Sequence, residues 1–151
     1  MTRIVVAVDI RRPIGLVFDY ITTPANWPAW HPASCAVSGP VDHSLMIGEE
    51  VTEEFVTGSR KGSCLWQVTQ REAPQLWTIM TSTPQVRAEI TYRLKALGET
   101  TRFERELNYA EAGIWFRILD FLLIRRRVQR ESRIALEQLK ERLELLSQEQ
   151  R

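Results

Sequence analysis

The sequence predicts an α+β domain, an antiparallel sheet backed by one long C-terminal helix. Three observations predict it. Runs rich in β-branched and aromatic residues, divided by short turn signals, fill residues 49 to 109. One further strand-like run and two short helical signals precede them. From Gly113 onward, apolar residues recur at helical spacing to the end of the chain. Strands and helices are therefore segregated along the chain, whereas a parallel α/β sheet would alternate them.

The first strand is RIVVAVDI, residues 3 to 10. In RRPIGLVFDYITT the period changes: Ile14, Val17, Phe18 and Ile21 fall at i, i+3, i+4 and i+7, one face of a short helix with Pro13 in its first turn. Thr23 before Pro24 is a second start signal, so TPANWPAW reads as another short helix, capped by Thr23 and closed by Pro28 or Pro32. Strand-like runs follow at 49 to 57, 62 to 72, 76 to 82, 86 to 97 and 101 to 109, joined as hairpins by short turns. The run 86 to 97 is the clearest. Val86, Ala88, Ile90, Tyr92 and Leu94 alternate with Arg87, Glu89, Thr91, Arg93 and Lys95, as a strand with one face in a core requires. In the C-terminal helix Val128, Ser132, Ala135, Leu136, Leu139, Leu143 and Leu146 form one stripe. Arg127 with Glu131, and Arg133 with Glu137, stand at i, i+4 and predict surface pairs.

A chain of 151 residues suits one domain, 1 to 151. Its net charge of +1 gives no field that would favour nucleic acid. The run before Asp9 is too short for a secretory signal, and no stretch reaches the ~18 apolar residues of a membrane span. Two cysteines, Cys35 and Cys64, point to reduced thiols and a cytoplasmic setting. With His31 and His43 they lack the paired short spacing of a zinc site, so no metal or other cofactor is expected. Neither a nucleophile elbow, a phosphate loop nor a dinucleotide fingerprint occurs.

The segments RPIGLVFDYITTPANWPAWHPAS, IGEEVTEEF, WQVTQREAPQLWTI and LEQLKERLE follow one another in an order that resembles the START-like (SRPBCC) superfamily, and its polyketide cyclase/dehydrase branch in particular. Val17, Phe18, Trp27 and Trp30 match that branch's hydrophobic start and Trp-containing turn. The resemblance covers essentially the whole chain. It implies a helix-grip fold, in which a curved antiparallel sheet of about six or seven strands wraps around the long C-terminal helix, with two short helices after the first strand. It also implies a cavity that holds an apolar small molecule or lipid, in a family where only some members are enzymes. Fold alone does not assign activity.

With such a cavity, the candidate ligand contacts are Trp30, Phe55, Trp66, Trp77, Ile90 and Tyr92. Phe103, Arg105, Tyr109, Phe116 and Leu119 complete the set. Arg105 is the anomaly, since it shares strand parity with Phe103, Leu107 and Tyr109; an inward guanidinium is costly unless paired. Glu53, on the parity of Val51 and Phe55, is one candidate partner, and an acidic or carbonyl-bearing ligand is the other. A twist or bulge that turns Arg105 outward is the competing reading. Glu53, Arg105 and His31 are the candidate catalytic groups for a cyclase or dehydratase, which would need a Glu53 carboxyl with a raised pKa. Trp27, Trp30 and His31 in NWPAWHPAS read either as a ligand grip or, as aromatic residues more often do, as a core anchor and turn. IWFRILDFLLIRRRVQR, 114 to 130, reads as the buried start of the helix followed by a solvated basic patch, or as a weak membrane-surface contact. The sequence leaves the ligand, any reaction and the oligomeric state open, a homodimer included.

Overall fold

The computed structural model describes residues 2–57, 60–83, 86–111 and 118–149, with side chains described for all of these but 57, 60, 86, 111 and 118–123. Strand β1 (Thr2–Ile10) leads into helix α1 (Ile14–Ile21), a single 3₁₀ turn (Pro24–Asn26) and helix α2 (Trp27–Trp30). Strands β2 (Ser34–Ser38), β3 (Glu50–Thr57), β4 (Arg60–Glu72), β5 (Leu76–Ser82), β6 (Val86–Leu97) and β7 (Thr100–Glu111) follow, and helix α3 (Ile118–Glu149) ends the described chain. The strands form one seven-stranded sheet in the order β1-β7-β6-β5-β4-β3-β2. Every pairing is antiparallel. The sheet curls into a half-barrel around α3, which is the helix-grip fold.

β2 is absent from the strands predicted above. Only Val37 of SCAVS is a strongly strand-forming apolar residue, and a register shift between Ser34 and Ala36 breaks its alternation. The second short helix also differs from expectation. Pro28 lies inside the first turn of α2, and the helix ends at His31, before Pro32. Thr23 does not cap with its side chain; its hydroxyl donates back to the Asp19 carbonyl at 2.6 Å.

Pairing aligns the inward rows. Val6, Arg105, Tyr92 and Trp77 face one another across β1, β7, β6 and β5, and Ile4, Leu107, Ile90, Ile79 and Val68 form the next row. Against them α3 presents Ser132, Ala135, Leu136, Leu139 and Leu143, all buried as their spacing predicts. The aromatic residues of the helical corner anchor it. The Trp27 indole donates to the Ile21 carbonyl at 2.9 Å and stands edge-on to Trp77, with ring centroids 6.3 Å apart. Trp77 in turn donates to the carbonyl of Leu45, a fully buried residue that pins the loop between β2 and β3. Lys140, bonded to the Asp9 carbonyl, and Glu144, paired with Arg11 and Lys140, tie the C-terminal half of α3 to the end of β1. The expected Arg127–Glu131 and Arg133–Glu137 contacts are not among the ion pairs of the described residues. Arg127 acts on Glu131 only through its field.

On the outer face Glu106 accepts from Arg3 and, at 2.6 Å, from Arg93. These two guanidinium groups hold its carboxyl down to about 2.

Candidate functional site

The inner face of the sheet is fully packed at one end and only partly buried at the other. Trp77 and Phe103 retain no accessible surface, so they belong to the packed core together with Phe18, Ile10 and Leu139. Tyr92 bridges them, with its ring 5.1 Å from Trp77 and edge-on to Phe103 at 5.0 Å. Toward the end where β7 leaves the sheet, the inward residues Glu53, Phe55, Cys64, Leu107 and Tyr109 are only partly buried. Trp66 and Ile90 lie on the boundary, at 6% exposure each. Gly62 matters here, because a Cβ in its place would stand 2.7 Å from Cζ at the tip of the Phe55 ring. Phe116 and the Leu119 side chain lie outside the described residues.

A polar cluster occupies this second end. Arg105 points inward and is 5% exposed. Its Nη1 donates to Ser132 Oγ on α3 at 3.2 Å, and its guanidinium lies within bonding reach of the Tyr92 hydroxyl. Burial pushes Tyr92 up to about 12 against the pull of Arg105. Glu53 accepts from the Trp66 indole at 3.1 Å and lies beside Ser34. Burial raises its carboxyl above the ordinary range, outweighing these hydrogen bonds and the Arg105 field. No contact of 4 Å or less joins Glu53 to Arg105 among the ion pairs of the described residues, so the guanidinium is neutralised only at a distance.

His31 borders the same cluster. Its Nδ1 accepts the Ala33 backbone N–H at 3.1 Å, which leaves the proton of the neutral ring on Nε2. Burial, then the nearby Arg105 charge, push it down to about 3. Trp30 packs beside it at 5.8 Å, and its indole N–H is buried without a partner. Cys64 is an unreactive thiol, raised to about 12 by burial and then by Glu53. His43 lies in another environment, an exposed loop where it pairs with Asp42 and Glu49. Arg125, Arg126 and Arg127 are exposed, on the solvent side of α3.

The cluster thus joins four groups singled out in the sequence, Arg105, Glu53, Tyr92 and His31, to two that were not, Ser132 and Ser34. Ser132 carried a readable signal: it is the only hydroxyl in the apolar stripe of α3. Ser34 carried none, since its strand went unpredicted.

Residues 1–144 match the model of the family described as polyketide cyclase / dehydrase and lipid transport. The chain belongs to this family. Among its relatives is the Penitrem biosynthesis cluster 1 protein I of Penicillium ochrochloron, 28% identical over 106 residues, which are 65% of this chain and 69% of that protein. A START superfamily protein from Mycobacterium smegmatis shares the fold with a TM-score of 0.76 at 10% identity, over 95% of this chain and 98% of that one. The di-domain ARO/CYC BexL of the BE-7585A biosynthetic pathway superposes with a TM-score of 0.74 at 20% identity, over 97% of this chain. This chain spans 48% of BexL, about half its length. Polyketide cyclase/dehydrase membership and a START-type fold support a ligand-binding cavity. No helix of the described residues is long and apolar enough to cross a membrane.

Proposed function

We propose that this protein binds an apolar or aromatic small molecule, or a lipid, between the inner face of the sheet and α3. The observation that carries the reading is the polar cluster in an otherwise apolar chamber. Arg105, Glu53 and Tyr92 face inward among Trp66, Ile90 and Leu107, where folding alone would favour apolar side chains. A few placed polar groups among apolar walls are how small-molecule sites fix orientation. Apolar burial would drive binding, at ~25 cal/mol per Å² of ligand surface. Native mass spectrometry of freshly purified protein tests this, with a retained apolar molecule as the expected result. Absence of any retained molecule, and of any thermal shift across a broad apolar library, would sink the proposal.

A second reading is supported by one observation, the raised Glu53 carboxyl in the same chamber as Arg105. It makes the protein a cyclase- or dehydratase-like enzyme in which Glu53 transfers a proton. The related protein's penitrem cluster and the ARO/CYC name of BexL agree with such chemistry. Glu53→Gln should then abolish turnover while ligand binding persists, and unchanged turnover would remove Glu53 from the mechanism.

A further inference from the structure

We infer that the ligand carries a carboxylate at one end of its apolar body, and that Arg105 is the residue that anchors it. This rests on the cavity proposed above and deepens it. The argument is a count of donors and acceptors. Among the described residues Arg105 Nε is buried without a partner, and the groups that its guanidinium does reach, the Ser132 and Tyr92 hydroxyls, are both neutral. The Trp30 indole N–H is buried and unpartnered as well. His31 has its Nδ1 occupied by Ala33, so it presents Nε2–H. These groups are neighbours: Trp30 packs on His31, and His31 feels the Arg105 charge. Ser34 Oγ, buried beside Glu53, can donate as well as accept, so every spare polar atom of the cluster can act as a donor. A ligand that completes it must bring acceptors, and buried donors left unmade carry the full cost of their desolvation.

Charge selects a carboxylate over a neutral carbonyl. Arg105 is a cation at 5% exposure, and among the described residues no carboxylate lies within 4 Å of it. Glu53 is a poor counter-ion, because burial favours its neutral form. A ligand oxyanion supplies the missing charge, and planar guanidinium groups match carboxylates in both geometry and charge. Arg12 and Arg71 also have an unpartnered Nε. They differ in place: Arg71 lies over the Phe18 ring at 5.3 Å and bonds Ser44, and Arg12 sits at the β1–α1 junction beside Thr101.

Matched probes test the inference: 2-naphthoate against 2-naphthamide, and the carboxylates of eight to sixteen carbons against the corresponding primary alcohols. Affinities are measured by calorimetry at pH 7 for the wild type, Arg105→Leu and Arg105→Lys. The wild type should prefer the acids by about tenfold or more, equal to about 1.4 kcal/mol. Arg105→Leu should erase the preference while keeping affinity for the neutral partners, and Arg105→Lys should retain part of it. Equal wild-type affinity for acid and neutral probe overturns the inference and leaves the cavity standing. So does a preference that survives Arg105→Leu. The wild-type comparison alone decides the ligand class if the leucine variant fails to fold. Failure of every probe, acid and neutral, counts against the cavity itself.

Discussion

The partly buried position of His31 makes a quantitative prediction about stability and pH. In the folded chain the ring is held neutral, down to about 3, first by burial and then by Arg105. In the unfolded chain it titrates near 6.5. A folded value below the unfolded one means that His31 favours the fold above about pH 6.5 and loses that contribution as the pH falls. The full shift would cost about 2 kcal/mol between pH 7 and pH 5, since each pH unit in this window is worth up to ~1.4 kcal/mol. Part of the ring is solvent-accessible, so about 1 kcal/mol is the discounted expectation. Glu53 and His43 titrate with the opposite sign, because both folded values are raised. The observable is therefore a difference between wild type and His31→Asn, whose Oδ1 can still accept from Ala33. Urea unfolding at pH 7, 6 and 5 measures it. The wild type should lose about 1 to 2 kcal/mol relative to the variant over this range. A difference constant to within about 0.3 kcal/mol would refute the enclosed, neutral ring, as would an NMR titration that moves the His31 signal near pH 6.

Three further outcomes follow from packing and charge. Glu53→Gln removes a carboxyl whose folded pKa is raised by burial, so the variant should gain on the wild type as pH rises above the ordinary carboxylate range; equal pH profiles in urea would contradict that. Glu106→Gln leaves Arg3 and Arg93 short of a counter-ion at a site 7% exposed and should cost about 1 to 3 kcal/mol at pH 7. Its deficit should shrink below pH 4.5, as the wild-type carboxyl protonates toward its folded value of about 2. Leu139→Ala opens a cavity beneath a fully buried position of α3 and should cost about 2 to 5 kcal/mol in chemical unfolding.

How far the fold could be read from the sequence depended on whether a signal was local. The alternation along β6 and the 3.6-residue stripe of α3 each lie within one element, and both emerge as predicted except at Thr91, which is buried against Thr78 instead of facing water. The loop between β2 and β3 is the contrary case. Leu45 opens the apolar run Leu45-Met46-Ile47, yet it alone of the three is fully buried, where Trp77, 32 positions later, donates to its carbonyl and Thr22 accepts its N–H. Nothing near Leu45 encodes those partners. β2 was missed for a related reason, since an edge strand with one apolar side chain owes its existence to the ladder that β3 offers it.

The site follows the same division, and it explains why Arg105 was visible while its setting was not. Strand parity placed Arg105 with Phe103, Leu107 and Tyr109, and the unshifted antiparallel pairing of β7 with β6 and of β6 with β5 preserves that parity as far as Trp77. Parity left two candidate partners, Glu53 and an acidic or carbonyl-bearing ligand. The curl of the sheet decides against Glu53, because it delivers Ser132 of α3 to the guanidinium and keeps Glu53 on Trp66. Ser132 can accept a hydrogen bond but cannot neutralise a charge. Had the helix carried Asp or Glu at that position, Arg105 would have formed a closed ion pair and the chamber would need nothing from outside. A serine there satisfies one N–H and leaves both the charge and the Nε donor open. The identity of one helical residue thus separates a structural salt bridge from a binding site. It also makes Ser132→Asp an informative variant, which should stabilise the empty protein while closing Arg105 to anionic ligands.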